Sequence, residues 1–153
     1  MSTVQTWQTI STDLEDTLET AMRIGRKLRG GEIIELVGDL GAGKTAFVRG
    51  LAKGMGSSDD VSSPSFTLGN RYRAGRLTLY HFDFHRLDEP GIMRRELAET
   101  VEDPAVVVVV EWADSVRSVI PDDRLTINIT AAGENERRFN FTYPQKLRYL
   151  IPE

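Results

Sequence analysis

The sequence predicts an α/β fold of three layers, in which a mixed sheet has a parallel centre and antiparallel hairpins. Three observations carry this. A short apolar run, Glu32 to Val37, leads through the glycine-rich stretch GDLGAGKT into a helical pattern, the strand, loop and helix of a crossover unit. Ala105 to Val110 is an unbroken, mostly β-branched run, the kind of strand that a parallel sheet buries on both faces. Two pairs of extended segments, each joined by a turn, read as antiparallel hairpins.

Taken in order, Val4 to Ile10 has the β-branched and aromatic content of a strand. Thr12 and Glu15 have the spacing of a capping box, and Leu14, Leu18, Met22 and Leu28 mark a helical stripe that Gly30 and Gly31 end. The strand at 32–37 and its loop precede a helix carrying Phe47, Val48, Leu51, Ala52 and Met55, which Gly54 and Gly56 are expected to stop. Phe66 to Tyr72 and Leu77 to Phe84, separated by residues 73–76, form the first hairpin. Asp88 and Pro90 open a helix that reaches Val101, and Asp103-Pro104 breaks it. The valine run then delivers Glu111 and Trp112 at its C-terminal end. Leu125, Ile127 and Ile129, followed by Phe139, Phe141 and Tyr143, alternate with polar residues as a second, half-exposed hairpin.

With 153 residues, 40% of them hydrophobic, the chain fills one core, and a single domain spanning 1–153 is expected. It has no cysteine, no apolar stretch near the roughly 20 residues a bilayer requires, and no basic and apolar leader pattern at its N-terminus. Cytoplasm is therefore the expected location. A net charge of -4 argues against broad electrostatic attachment to nucleic acid or to an anionic membrane, so contact with RNA is expected to be local or indirect.

GDLGAGKT fits G-x-x-x-x-G-K-[ST], which makes Asp39, Leu40, Gly41, Ala42, Gly43, Lys44, Thr45 and Ala46 candidate nucleotide-binding residues. Glycines permit positive φ, so consecutive backbone N–H groups can turn inward and cradle phosphate oxygens at a helix N-terminus. Lys44 reaches the β and γ phosphates. Thr45 offers its hydroxyl to Mg²⁺, a cation that keeps several waters and takes few protein ligands. Asp39, a carboxylate beside polyphosphate, reads as a capping or solvent-facing residue.

Phosphoryl transfer also needs a metal ligand and a group that orients the attacking oxygen, both at the C-terminal ends of central strands. Glu111, after five valines, and Asp83, late in its strand, fit those places. The alternatives are a solvated strand end for Glu111 and an ion pair with His81 or Arg86 for Asp83. The stretch Ser62 to Thr67, which includes Ser65, lies where a segment sensing the γ phosphate belongs, although it also reads as an ordinary turn. His81 and His85 have no metal-ligand company, so no transition metal is expected.

The order GDLGAGKTAFVRGL, VSSPSFTL, LYHFDFHRL and VVVVVEWAD resembles the bacterial tRNA threonylcarbamoyladenosine biosynthesis ATPases of the TsaE family, also called YjeE. The resemblance runs from Leu14 to the Arg137 region. It implies a P-loop NTPase-like fold, ATP and Mg²⁺ as cofactors, Lys44 on phosphate, Thr45 and Glu111 on Mg²⁺, and Asp83 in support of hydrolysis. It also implies an adenine site near Ser11, Thr12, Gly133 and Arg137, and it places Ser65 where the family usually has Thr. TsaD and TsaB are the implied partners, with tRNA met through their complex and modified at the adenosine next to the anticodon.

The activity so implied is an ATPase that is slow without partners. The alternatives are a nucleotide-gated assembly factor in which hydrolysis is only a reset, and a small P-loop kinase. Arg71, Arg73 and Arg76, with Tyr72 for stacking, offer a direct RNA contact, against the simpler reading of a solvated turn.

Overall fold

Along the chain lie β1 (Val4–Ser11), α1 (Leu14–Gly25), β2 (Ile33–Val37), α2 (Lys44–Met55), β3 (Gly69–Ala74), β4 (Leu77–Asp83), α3 (Gly91–Thr100), β5 (Val106–Glu111), β6 (Leu125–Ala131) and β7 (Arg137–Pro144). Short 3-10 turns occupy Ala113–Val116 and Gln145–Leu150. The structure is a computed structural model that describes residues 4–38, 43–59, 69–84, 91–111 and 113–152. Asp88, Pro90 and the first residues expected in the hairpin strand at 66–72 lie outside that set.

The strands form one sheet in the order β1-β7-β6-β2-β5-β4-β3. Its centre is parallel, β2 pairing with β5 and β6, and β5 with β4. Both margins are antiparallel: β3 on β4, and β1 and β6 on β7. The expected hairpins are therefore present, but each sends one strand into the parallel centre. Gly75, at φ 65, makes the β3–β4 turn in the left-handed region that glycine tolerates.

The valine run behaves as its composition dictates. Val107 and Val109 face the core under α1 and α2, while Val108 and Val110 face a second core under α3. The first core is continued by Ile127, Ile129, Phe139 and Phe141, and Trp7 leans on it with its ring 5.2 Å from that of Phe141. The second stacks Tyr80, Phe82 and Phe84 along β4.

α1 departs from expectation in three ways. Its cap is Asp13, whose carboxylate accepts from the Asp16 N–H at 2.8 Å, and Asp16 in turn accepts from the Thr12 N–H at 3.0 Å. The box expected on Thr12 and Glu15 is displaced because β1 stays paired through Ser11, so the helix opens one residue later. The helix also ends at Gly25, before Gly30. Its buried side is Thr17, Ala21 and Ile24, and Leu14 is 57% exposed.

The reason for the shifted stripe lies in α2. A Cβ on Gly25 would sit 2.3 Å from the Leu51 carbonyl oxygen, one on Gly50 would sit 2.6 Å from Ala21 Cβ, and one on Gly54 would sit 2.2 Å from the Met22 carbonyl oxygen. The two helices touch backbone to backbone, so small residues face the contact and large ones flank it. Gly54 is accordingly a packing position inside α2. Gly56, left-handed at φ 99, ends that helix.

Among the described residues no helix is long and apolar enough to cross a membrane.

Candidate nucleotide site

β2, β5 and β4 run parallel, so their C-terminal ends open on one edge of the sheet. Register places Glu111 beside Leu36 on one side and Asp83 on the other. Strand alternation then decides the face: Glu111, Asp83 and His81 share the parity of Val109 and Leu79, and so lie on the side covered by α1 and α2. α2 begins there with Lys44 and Thr45 in its first turn.

The two helix starts differ in charge. α1 satisfies its own N-terminus with Asp13 and carries Glu15 and Asp16 in its first turn. α2 has neither a side-chain cap nor an acidic residue there, and its cap position is Gly43, left-handed at φ 101. Its first turn thus carries no carboxylate of its own, which leaves its N–H groups and positive dipole end suited to an anion.

Lys44 is buried. Its Nζ donates to the Gly38 carbonyl oxygen at 2.8 Å and stands 3.6 Å from Glu111 Oε1. Glu111 Oε2 is 2.5 Å from His81 Nε2, and the His81 side chain has no exposed surface. Burial alone pushes the Glu111 carboxyl up, but the hydrogen bonds and positive charge supplied by His81 and Lys44 outweigh it and hold the group below its ordinary value. The carboxylate is therefore ionised at neutral pH.

The oxygen chemistry of the Thr45 hydroxyl, in the first turn of α2, and of the ionised Glu111 fits Mg²⁺, a cation that keeps several waters and takes few protein ligands. Among the described residues no group of three His, Asp or Glu side chains could hold a metal by itself.

Of the other sequence-predicted positions, Asp39, Leu40, Gly41, Ala42 and Ser65 lie outside the described residues. Ala46 and Thr45 are half-buried at the start of α2. Ser11 pairs with Arg137 across β1 and β7, and Arg137 Nε lies 4.0 Å from where a Gly43 Cβ would be. Ser11 and Arg137 are thus brought to the phosphate-loop end of α2. The Ser11 hydroxyl is buried against that of Thr17 at 2.5 Å, while Thr12 is exposed. Gly133 sits in the β6–β7 turn beside Glu136.

At the first hairpin, Tyr72 is 4% exposed and presents no ring to a base, and Arg71 pairs with Glu96 at 3.0 Å. Sequence reasoning missed the place of His81. The signal that finds it is parity, since residues 81 and 83 share a face of their strand, which β5 then sets beside Glu111.

The TsaE family model, described as "Threonylcarbamoyl adenosine biosynthesis protein TsaE", matches residues 11–139. The chain is 38% identical over 136 residues to the tRNA threonylcarbamoyladenosine biosynthesis protein TsaE of Bacillus subtilis, covering 89% of this chain and 84% of that one. It is 36% identical to the Nostoc protein of the same name over 133 residues, covering 85% and 82%. The crystal structure of Bacillus subtilis YdiB superposes with a TM-score of 0.75 at 32% identity, over 97% of this chain and 92% of that one. The architecture is the mixed, parallel-centred sheet of a P-loop NTPase, and the chain belongs to the TsaE family of threonylcarbamoyl adenosine biosynthesis proteins.

Proposed function

We propose that this protein binds ATP with Mg²⁺ and hydrolyses it in support of threonylcarbamoyladenosine formation on tRNA, acting with TsaD and TsaB. The observation that carries the reading is the buried contact of Lys44 with Glu111 at the start of α2. The Lys44 ammonium, on a flexible stem, can exchange the Gly38 carbonyl for phosphate oxygens. Thr45 and Glu111 would hold Mg²⁺, which when bound neutralises phosphate charge and orients the terminal phosphate. Asp83, beside Glu111 across β4 and β5, would support hydrolysis by orienting the attacking water or by holding a water on the metal. Gly43 and the N–H groups that open α2 would bind phosphate, and Arg137, at the Gly43 end, would take the nucleoside side with Ser11, its partner across β1 and β7, and with Thr12 and Gly133.

ATP turnover by the protein alone is expected to be slow and to rise when TsaD, TsaB and tRNA are added. Rapid phosphorylation of a metabolite in their absence would overturn the reading in favour of a kinase.

A nucleotide-gated assembly factor is the second reading, favoured by the Lys44–Glu111 contact that an incoming nucleotide must break. Two variants separate the readings. Lys44→Ala loses ATP affinity, whereas Glu111→Ala keeps it and loses hydrolysis. If Glu111→Ala still sustains repeated rounds of tRNA modification, the reading in which hydrolysis drives the work is wrong.

A further inference from the structure

Glu111 has a different donor on each oxygen: Lys44 toward Oε1 at 3.6 Å and His81 on Oε2 at 2.5 Å. The two donors differ in what can move them. Lys44 belongs to the nucleotide-binding loop, and phosphate competes for its ammonium. His81 stands in the body of β4, opposite Val109 and fully buried, one diagonal step from Glu111. A strand residue packed on that face cannot follow the loop.

The polar accounting of the ring points the same way. An ionised carboxylate only accepts, so Nε2 carries the hydrogen of the shared bond. Nδ1 is buried and has no hydrogen-bond partner among the described residues. A core histidine kept for packing alone generally satisfies both nitrogens. Here the ring's one hydrogen bond among the described residues goes to Glu111, and a leucine would fill the place without leaving Nδ1 unpaired.

We propose that His81 is a positioning residue that clamps Glu111 Oε2, so that Oε1 stays turned toward the phosphate loop and meets Mg²⁺ when Lys44 transfers to the nucleotide. This rests on the reading of Glu111 as a metal ligand. Hydrogen-bonding partners of metal-ligating groups fix their orientation, and their loss commonly weakens metal binding by about 10–100-fold.

The test is an equilibrium titration of Mg²⁺ against a fluorescent, non-hydrolysable ATP analogue on the full chain. Compared are the wild type, His81→Leu, His81→Gln, whose side-chain N–H reaches the Nε2 position, and Glu111→Gln. His81→Leu is expected to raise the Mg²⁺ concentration for half-maximal effect about 10-fold, while metal-free nucleotide affinity stays within about twofold. His81→Gln should recover most of that loss. A wild-type Mg²⁺ requirement in folded His81→Leu overturns the proposal.

If Glu111→Gln raises the requirement and His81→Leu does not, only the clamp is wrong. If Glu111→Gln leaves it unchanged, the metal-ligand reading of Glu111 fails and the clamp falls with it. Nitrogen-15 NMR of the wild-type ring supplies a readout independent of variant folding. A slowly exchanging Nε2–H resonance that Glu111→Gln shifts supports the clamp, and an unprotonated Nε2 overturns it.

Discussion

β2 and β5 each bury a glutamate, and the two side chains point to opposite faces of the sheet: Glu35 is in register with Val110, and Glu111 with Leu36. Glu35 is 1% exposed and Glu111 4%. A lone carboxylate in either place would cost several kcal/mol, so both need partners. Glu35 accepts from Arg124 Nε at 3.0 Å and from the Thr126 hydroxyl at 3.1 Å, with Arg117 3.1 Å from its other oxygen. Arg124 is itself anchored on the Pro121 carbonyl. Guanidinium groups stay charged, so the Arg124 tie on one Glu35 oxygen is not one that pH undoes. Glu111 is held instead by a flexible ammonium and an imidazole. Equal burial therefore hides two designs, one tied by guanidinium groups on the α3 face of the frame and one held by an ammonium whose flexible stem lets it move.

The largest expected effect separates the two on activity. Glu111→Gln should lower ATP turnover about 10²–10³-fold, the cost of losing one preorganised charge at the reacting phosphate, whereas Glu35→Gln should stay within about threefold. Comparable losses in a steady-state assay would erase the distinction. On stability the order reverses. Glu35→Gln removes the counter-charge of Arg124, with expected destabilisation of about 3 kcal/mol, or a fall in Tm of about 6–12 °C. Arg117 adds little to this, because its half-exposed side chain can turn to water and Asp114. Thermal unfolding in which Glu111→Gln loses more than Glu35→Gln would reverse the assignment.

A third substitution probes a position remote from either glutamate. Gly54→Ala puts a methyl group against the Met22 carbonyl and forces α1 from α2, at about 1–3 kcal/mol by denaturant unfolding. A loss as small as that of an exposed helix substitution would mean the two helices are less tightly apposed. The smallest effect is on pH. The folded pKa of Glu111 is depressed, so its contribution to stability is present above the unfolded value of about 4.5 and disappears as pH falls through the lower, folded value. The stability gap between wild type and Glu111→Gln should therefore shrink on acidification. A gap that is flat from about pH 6 to about pH 3 would remove the charge argument.

Much of the frame was legible because it depends on local pattern. The valine run could only be a doubly buried strand, and GDLGAGKT between a strand and a helix marked where α2 starts beside the ends of the parallel strands. The α1 stripe was misread because large aliphatics at helical spacing point to a core face only when the neighbour is a side-chain surface. Against the glycines of α2 the contact belongs to Ala21 and Gly25, residues too small to register as hydrophobic. The clamp on Glu111 was illegible for another reason. His81 and Glu111 are 30 positions apart, and only the pairing of β4 with β5 brings them together. The pairing of Ser11 with Arg137 is likewise a product of sheet register.

Close contact at Gly25, Gly50 and Gly54 gives α1 and α2 the mechanics of a single rod pair, with nothing larger than the Ala21 methyl at those contacts to flex. Lys44 stands at one end of that pair, and Asp13 and β1 are joined to α1. The two helices, with β1 joined to the start of α1 at Ser11, thus form one stiff block beside the start of α2, where Ser11 meets Arg137.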